Sequence, residues 1–154
     1  MKQCGYGQYE SSSNGGQINV EYIHTVQYYE TDKMGITHHS NYIRWMEEAR
    51  IDFLSQKGWD FAKLEDMGIV SPVLSLSCDY KAPTTFPEKI SIIVSVKGFK
   101  GVKLHLGYEM KNEEGQTVCT ATSSHAFLGI DGRPVKMKEK CPGLYDTLMS
   151  LIEE

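Results

Sequence analysis

"YYETDKMGITHHSNYIRW", residues 28–45, decides the reading of this chain. A strand-like run stops at an acid, Asp32, then passes Gly35 and the pair His38 and His39 before an amphipathic helix begins. Ser40 and Asn41 follow at once, and both are residue types that cap helix N-termini. An acid held near a helix start faces backbone N–H groups able to bind an oxygen. The spacing fits a catalytic arrangement, and it also fits an ordinary capped turn, since Asp is common in turns.

Upstream, residues 18–29 ("INVEYIHTVQYY") are β-branched and aromatic and read as a strand. Downstream, residues 41–57 read as a helix. Tyr42, Trp45, Met46, Ala49 and Phe53 form one apolar stripe, which Ile43 and Leu54 widen. At ~1.5 Å per residue this helix is roughly 25 Å long. Gly58 suits the position just past its end. A second, short helix is expected over residues 60–67, ending at Gly68.

The remainder reads mostly as strand. Leu74, Leu76, Cys78 and Tyr80 alternate with polar residues, as do Ile90, Ile92, Val94 and Val96, then Val102, Leu104, Leu106, Tyr108 and Met110. Residues 117–130 form the last strand, and residues after Pro142 a short terminal helix with proline near its first turn. Short turns between successive strands imply antiparallel pairing. A sheet of about five strands curled around one long helix buries the apolar face of each, an α+β arrangement. Its outer face is expected to carry Ile93 and Phe127, which would call for a covering partner subunit.

The bulk numbers suit such a domain. The chain has 154 residues, 40% hydrophobic and 23% charged, with a formal net charge of -4. That charge disfavours bulk nucleic-acid binding, so any anionic ligand must be met by local positive charge. The four cysteines show no CxxC spacing, and no apolar run is long enough to span a bilayer. A reduced, cytoplasmic protein with free thiols is the simplest reading. Residues 1–17, rich in Gly, Ser and polar residues, read as a flexible leader before a single domain over residues 18–154.

Residues 28–50 resemble the start of hotdog-fold acyl-CoA thioesterases of the 4-hydroxybenzoyl-CoA thioesterase-like group. The pattern is carried by Tyr28, Tyr29, Asp32, Gly35, His39, Asn41 and Tyr42, and by Glu48, Ala49 and Arg50 at the helix end. The strand order agrees over roughly residues 18–130. One departure is "FPEKI" at 86–90, where many relatives carry a Gly-Asp pair.

The resemblance implies that Asp32 is the catalytic carboxylate and that the His39 backbone N–H holds the oxyanion. A carboxylate can attack the thioester carbonyl directly or deprotonate water, and the sequence leaves both routes open. Gly35 would allow a tight turn close to substrate, with Tyr29 and Ser40 beside it. Lys100 and Lys103, with Lys97, stand in "KGFKGVK" at a strand–strand turn. There they either meet the phosphates of coenzyme A or form a solubilising hairpin tip. No cofactor is implied. The carrier is coenzyme A or an acyl carrier protein, and relatives of this kind form homodimers or homotetramers with sites at the subunit junction.

Other constellations read less sharply. His38 and His39, with Asp32, His24 or His125, invite a metal reading, but none has a metal-ligand spacing. Glu47 and Glu48 fit solvated ion pairs with Arg50 and Arg44 along the helix. Ser123, Ser124 and His125 look like part of a triad, yet no GxSxG elbow is present. The rival functions are a hotdog dehydratase, using His39 with Glu47, and a non-catalytic acyl-thioester-binding module.

Overall fold

The computed structural model describes residues 21–152. The leader expected over residues 1–17 lies outside the described residues. β1 runs Glu21–Thr25 and is followed by a 3-10 turn, Tyr28–Glu30. The expected strand through residue 29 therefore stops early. Its cause is local: the Gln27 carbonyl accepts the Glu30 N–H at 3.0 Å, and the Glu30 carboxylate accepts the Gln27 N–H at 2.8 Å. These two bonds close a turn where the residue types favoured extension.

α1 spans Ser40–Gln56, and Tyr42, Trp45, Met46, Ala49, Phe53 and Leu54 are buried along it. Each such large apolar side chain contributes about 1.5–3 kcal/mol relative to exposure. Neither Ser40 nor Asn41 caps the helix. His39 occupies that position in helical conformation, and the Asn41 side chain donates instead to the carbonyls of Glu30 and His38. Gly58 follows the helix at φ 87°, and α2, Phe61–Asp66, ends before Gly68 at φ 75°, conformations that favour glycine.

β2 (Ile69–Val70) leads to β3 (Val73–Tyr80), β4 (Lys89–Phe99), β5 (Lys103–Lys111) and β6 (Thr117–Ala126). A two-residue β7, Leu128–Gly129, pairs with β2 in a small second sheet. The expected single strand over 117–130 is thus broken at Phe127. Two short helices, α3 (Met137–Lys140) and α4 (Pro142–Ser150), close the described chain. The main sheet is antiparallel in the order β1-β4-β5-β6-β3. It wraps α1 in the hotdog arrangement.

Period-two alternation sorts the sheet's faces. Ile90, Ile92, Val94, Val96, Leu104, Leu106, Tyr108 and Met110 are buried towards α1. The opposite face is polar or small through Ser91, Ser95, His105, Gly107, Thr120 and Thr122. Ile93 is half-buried there, but Phe127 is fully buried. The chain leaves the sheet after Ala126, and Phe127 turns inward to pack edge-on against Phe99 at 5.8 Å. The outer face is therefore less apolar than the alternation pattern suggested. Exposed apolar residues collect instead on edge strand β3, at Val73, Leu74, Leu76 and Tyr80.

Candidate active site

Asp32 stands on a tight loop between the 3-10 turn and α1. Thr31 and Thr37 bridge the two arms of this loop. Within it the Asp32 N–H donates to the Ile36 carbonyl, and the Gly35 N–H donates to the Asp32 carbonyl, both at 2.9 Å. Gly35 adopts φ 78°, which an L side chain would strain. Asp32 Oδ1 accepts the Met34 N–H at 2.8 Å; among the described residues this is the one hydrogen bond to its carboxylate. Asp32 is half-buried, and Tyr29 and Met34, near it in sequence, are exposed.

The second arm delivers the start of α1. The His38 N–H donates to the Glu30 carbonyl at 2.8 Å. Thr37 is pinned to Thr84 through its N–H at 2.8 Å and its hydroxyl at 3.1 Å, and the Thr84 hydroxyl also meets that of Tyr42 at 2.9 Å. His38 and His39 stack with ring centroids 4.2 Å apart, and His38 Nδ1 meets the Ser40 hydroxyl at 2.8 Å. The Tyr80 hydroxyl donates to the His39 carbonyl at 3.1 Å. Burial first, then the neighbouring Cys78, pushes the Tyr80 hydroxyl up to about 12, so it stays a donor at neutral pH. Among the described residues the His39 N–H has no acceptor. It is a donor at the positive end of a 17-residue helix.

Beneath this loop lies a cluster with no counterpart in the sequence expectations. His24 on β1 faces Glu30 Oε1 through Nε2 at 2.8 Å and Glu48 Oε2 through Nδ1 at 3.0 Å. Only the imidazolium donates from both nitrogens. Burial opposes that charge, but the bonds to Glu48 and Glu30 outweigh it and raise the His24 pKa above its ordinary value. Glu48 is lowered: burial opposes its charge, and His24 and Tyr22 prevail. The Tyr22 hydroxyl donates to Glu48 at 2.9 Å, and Trp45 Nε1 donates to Glu30 Oε2 at 2.7 Å.

Two helix ion pairs expected from spacing are thereby corrected. Glu48 turns to His24 and Tyr22 instead of Arg44. Arg50 is buried and donates to His125 Nδ1 at 2.6 Å, because α1 turns that face onto β6. Nδ1 accepts, so the proton sits on Nε2, which donates to the Ser123 hydroxyl at 2.6 Å. An imidazole in that state cannot take the serine proton. Ser124 points the other way, to Ser75.

Among the sequence candidates, the loop gathers Asp32, Tyr29, Gly35, His39 and Ser40. Lys100 and Lys103 stand elsewhere in the same chain. β1 ends at Thr25 beside Lys89, whereas Lys100 follows the far end of the 11-residue β4, roughly 36 Å away at ~3.3 Å per residue. Alternation in β1 held one signal for the missed cluster: Tyr22 and His24 share the inward face, and an inward histidine needs partners.

The thioesterase-like superfamily matches residues 26–143, and the chain belongs to that family. A putative acyl-CoA thioesterase of Bacillus subtilis, YneP, is 32% identical over 118 residues, covering 76% of this chain and 86% of that protein. A putative esterase of Aquifex aeolicus is 35% identical over 107 residues, covering 70% and 83%. Among solved structures, a DHNA-CoA thioesterase from Staphylococcus aureus superposes with a TM-score of 0.81 at 30% identity, covering 84% of this chain and 88% of that one. The resemblance read from residues 28–50, the hotdog fold and the class of thioester hydrolase are borne out.

Proposed function

We propose that the protein is an acyl-CoA thioesterase that hydrolyses a small or medium acyl thioester to free acid and coenzyme A, with Asp32 as the reacting carboxylate. The observation that carries this reading is the loop geometry. A carboxylate with one oxygen held by the Met34 amide stands on the arm opposite an N–H at the α1 start that is unengaged among the described residues. The thioester carbonyl oxygen takes the His39 N–H, where charge develops in the tetrahedral transition state. Asp32 then attacks the carbonyl carbon, or deprotonates the water that does. Exposed Tyr28, Tyr29, Met34 and Phe86 supply an apolar collar for the acyl group.

The site is completed by a second copy of the chain. Among the described residues β3 is an unpaired edge whose apolar residues are exposed. Its Tyr80 end touches His39, and its Val73 end pairs with His125, next to the Ala126–Lys103 pair. Antiparallel pairing of β3 with its copy would set the partner's Lys100 and Lys103 on the side of Asp32. There they would meet the phosphates of coenzyme A, with an acyl carrier protein as the other carrier. A homodimer is the smallest unit of this reading and a homotetramer its extension. Free thiols at Cys78, Cys119 and Cys141 support a cytoplasmic setting.

The test is thiol release from a panel of aliphatic and aromatic acyl-CoAs by the wild-type chain and by Asp32→Asn. Asparagine keeps the shape and is a poor base and nucleophile, so turnover should fall roughly a hundredfold or more with the fold intact. Wild-type turnover in the pure variant would reject Asp32. Binding of coenzyme A without any turnover by the wild-type chain would favour a binding module.

A further inference from the structure

The site just proposed hangs on a residue that touches no substrate. Glu30 is 5% exposed, and each of its polar groups is engaged. Its carboxylate accepts three donors from three elements: His24 Nε2 on β1 at 2.8 Å, the Gln27 N–H at 2.8 Å and Trp45 Nε1 on α1 at 2.7 Å. Its carbonyl accepts the His38 N–H at 2.8 Å and the Asn41 side chain at 3.0 Å. One residue thus ties the sheet edge, the helix body and both arms of the loop. Asp32 follows two positions later, and His39 is the neighbour of His38.

We propose that Glu30 is the positioning residue of the thioesterase site, setting where Asp32 stands against the first amides of α1. This rests on the reading of Asp32 as the reacting carboxylate. All three groups facing the Glu30 carboxylate are donors, so the site is built for an acceptor-only group. The second carboxylate on His24, from Glu48, keeps the imidazole protonated and donating. Glutamine at position 30 would place an amide N–H2 against Trp45 Nε1–H in one orientation and against Gln27 N–H and His24 in the other. Neither orientation satisfies the cluster, so the turn shifts and carries the loop with it. Displacements of about 1 Å at a reacting group cost on the order of a hundredfold in rate.

The experiment is steady-state thiol release by wild type, Glu30→Gln, Asp32→Asn and the double variant, on the acyl-CoA that wild type turns over best. The expected outcome is a loss of about tenfold to a hundredfold in kcat for Glu30→Gln, with KM within about threefold of wild type. The double variant should be no slower than Asp32→Asn alone, because Glu30 acts through Asp32. Wild-type kcat in folded Glu30→Gln, or losses that multiply in the double variant, would overturn the proposal and leave Asp32 standing. An inactive wild type, or an active Asp32→Asn, would instead reject the underlying reading of Asp32 and overturn the positioning role with it. If Glu30→Gln does not fold by circular dichroism, His24→Gln takes its place under the same criteria. It removes the charged donor at a partly exposed position.

Discussion

The Tyr80 hydroxyl, on a strand at the edge of the sheet among the described residues, donates 3.1 Å to the carbonyl of His39 at the start of the central helix. That bond orients the peptide whose neighbouring N–H is the proposed oxyanion donor. It also makes the strand through which two chains would pair a support of the site. Under the proposed site and pairing, catalytic geometry and assembly would be linked through this one phenol.

Tyr80→Phe should keep the fold and lower kcat about fivefold. One neutral hydrogen bond is worth ~1 kcal/mol, about a factor of five in rate if it is felt in the transition state. Thiol-release kinetics check this, and an unchanged kcat would mean that the His39 peptide is held by the loop alone.

His39→Pro should be far more damaging than His39→Ala. His39 has φ -55°, close to the value proline imposes, so the substitution removes mainly the N–H. Loss of an oxyanion donor costs ~3 kcal/mol in other enzymes, a hundredfold or more in kcat. Alanine keeps the amide and should lose little. Circular dichroism must first show that the proline variant is folded. Equally mild losses in both variants would reject the backbone role.

Half-buried His24 and buried His125 should give stability opposite dependences on pH. His24 has a raised pKa in the fold, so its contribution is full below the unfolded value of about 6.5 and is lost as pH rises through the folded value. His125 is lowered to about 4 by burial, then by Arg50 and His105, so the unfolded chain takes up a proton first. Its share of stability is lost as pH falls from about 6.5 towards about 4. The melting-temperature gap between wild type and His24→Gln should therefore shrink as pH rises above about 6.5. His125→Asn should flatten the acid limb. A gap for His24→Gln that widens with rising pH would mean the imidazole is neutral between its two carboxylates.

The main elements were legible because their signals are local. The Tyr42, Trp45, Met46, Ala49 and Phe53 stripe marked α1 almost to the residue, Gly58 marked its end, and alternation marked β3 to β6. What could not be read is held by contacts distant in sequence. Tyr22 and His24 reach Glu48 across 26 and 24 residues, and Arg50 reaches His125 across 75. Spacing along α1 offered Arg44 and Glu47 as nearer partners, and packing against the sheet overrode it. β2 and β7 are two residues each, too short for any period to show. Glu30 hid in a run of residues that favours extended backbone.

The proposed shared site makes the most demanding prediction. Wild type should be a dimer or larger by light scattering across dilution, and Leu76→Lys, at an exposed position of β3, should shift it to monomer with loss of turnover. If the lysines meet phosphates as point charges, Lys100→Ala with Lys103→Ala should raise KM for acyl-CoA and weaken its salt dependence. In one chain those lysines lie at the far end of the sheet from Asp32, so they could serve that carboxylate only from a partner. Asp32→Asn chains mixed and re-paired with the double-lysine variant should then regain activity. Each mixed dimer carries one junction with an intact Asp32 from one chain and intact lysines from the other. Turnover at low acyl-CoA should rise above the mean of the two separate variants. Activity that equals that mean after subunit exchange, or full activity in monomeric Leu76→Lys, would confine the site to one chain and leave the lysines as a solvated hairpin tip.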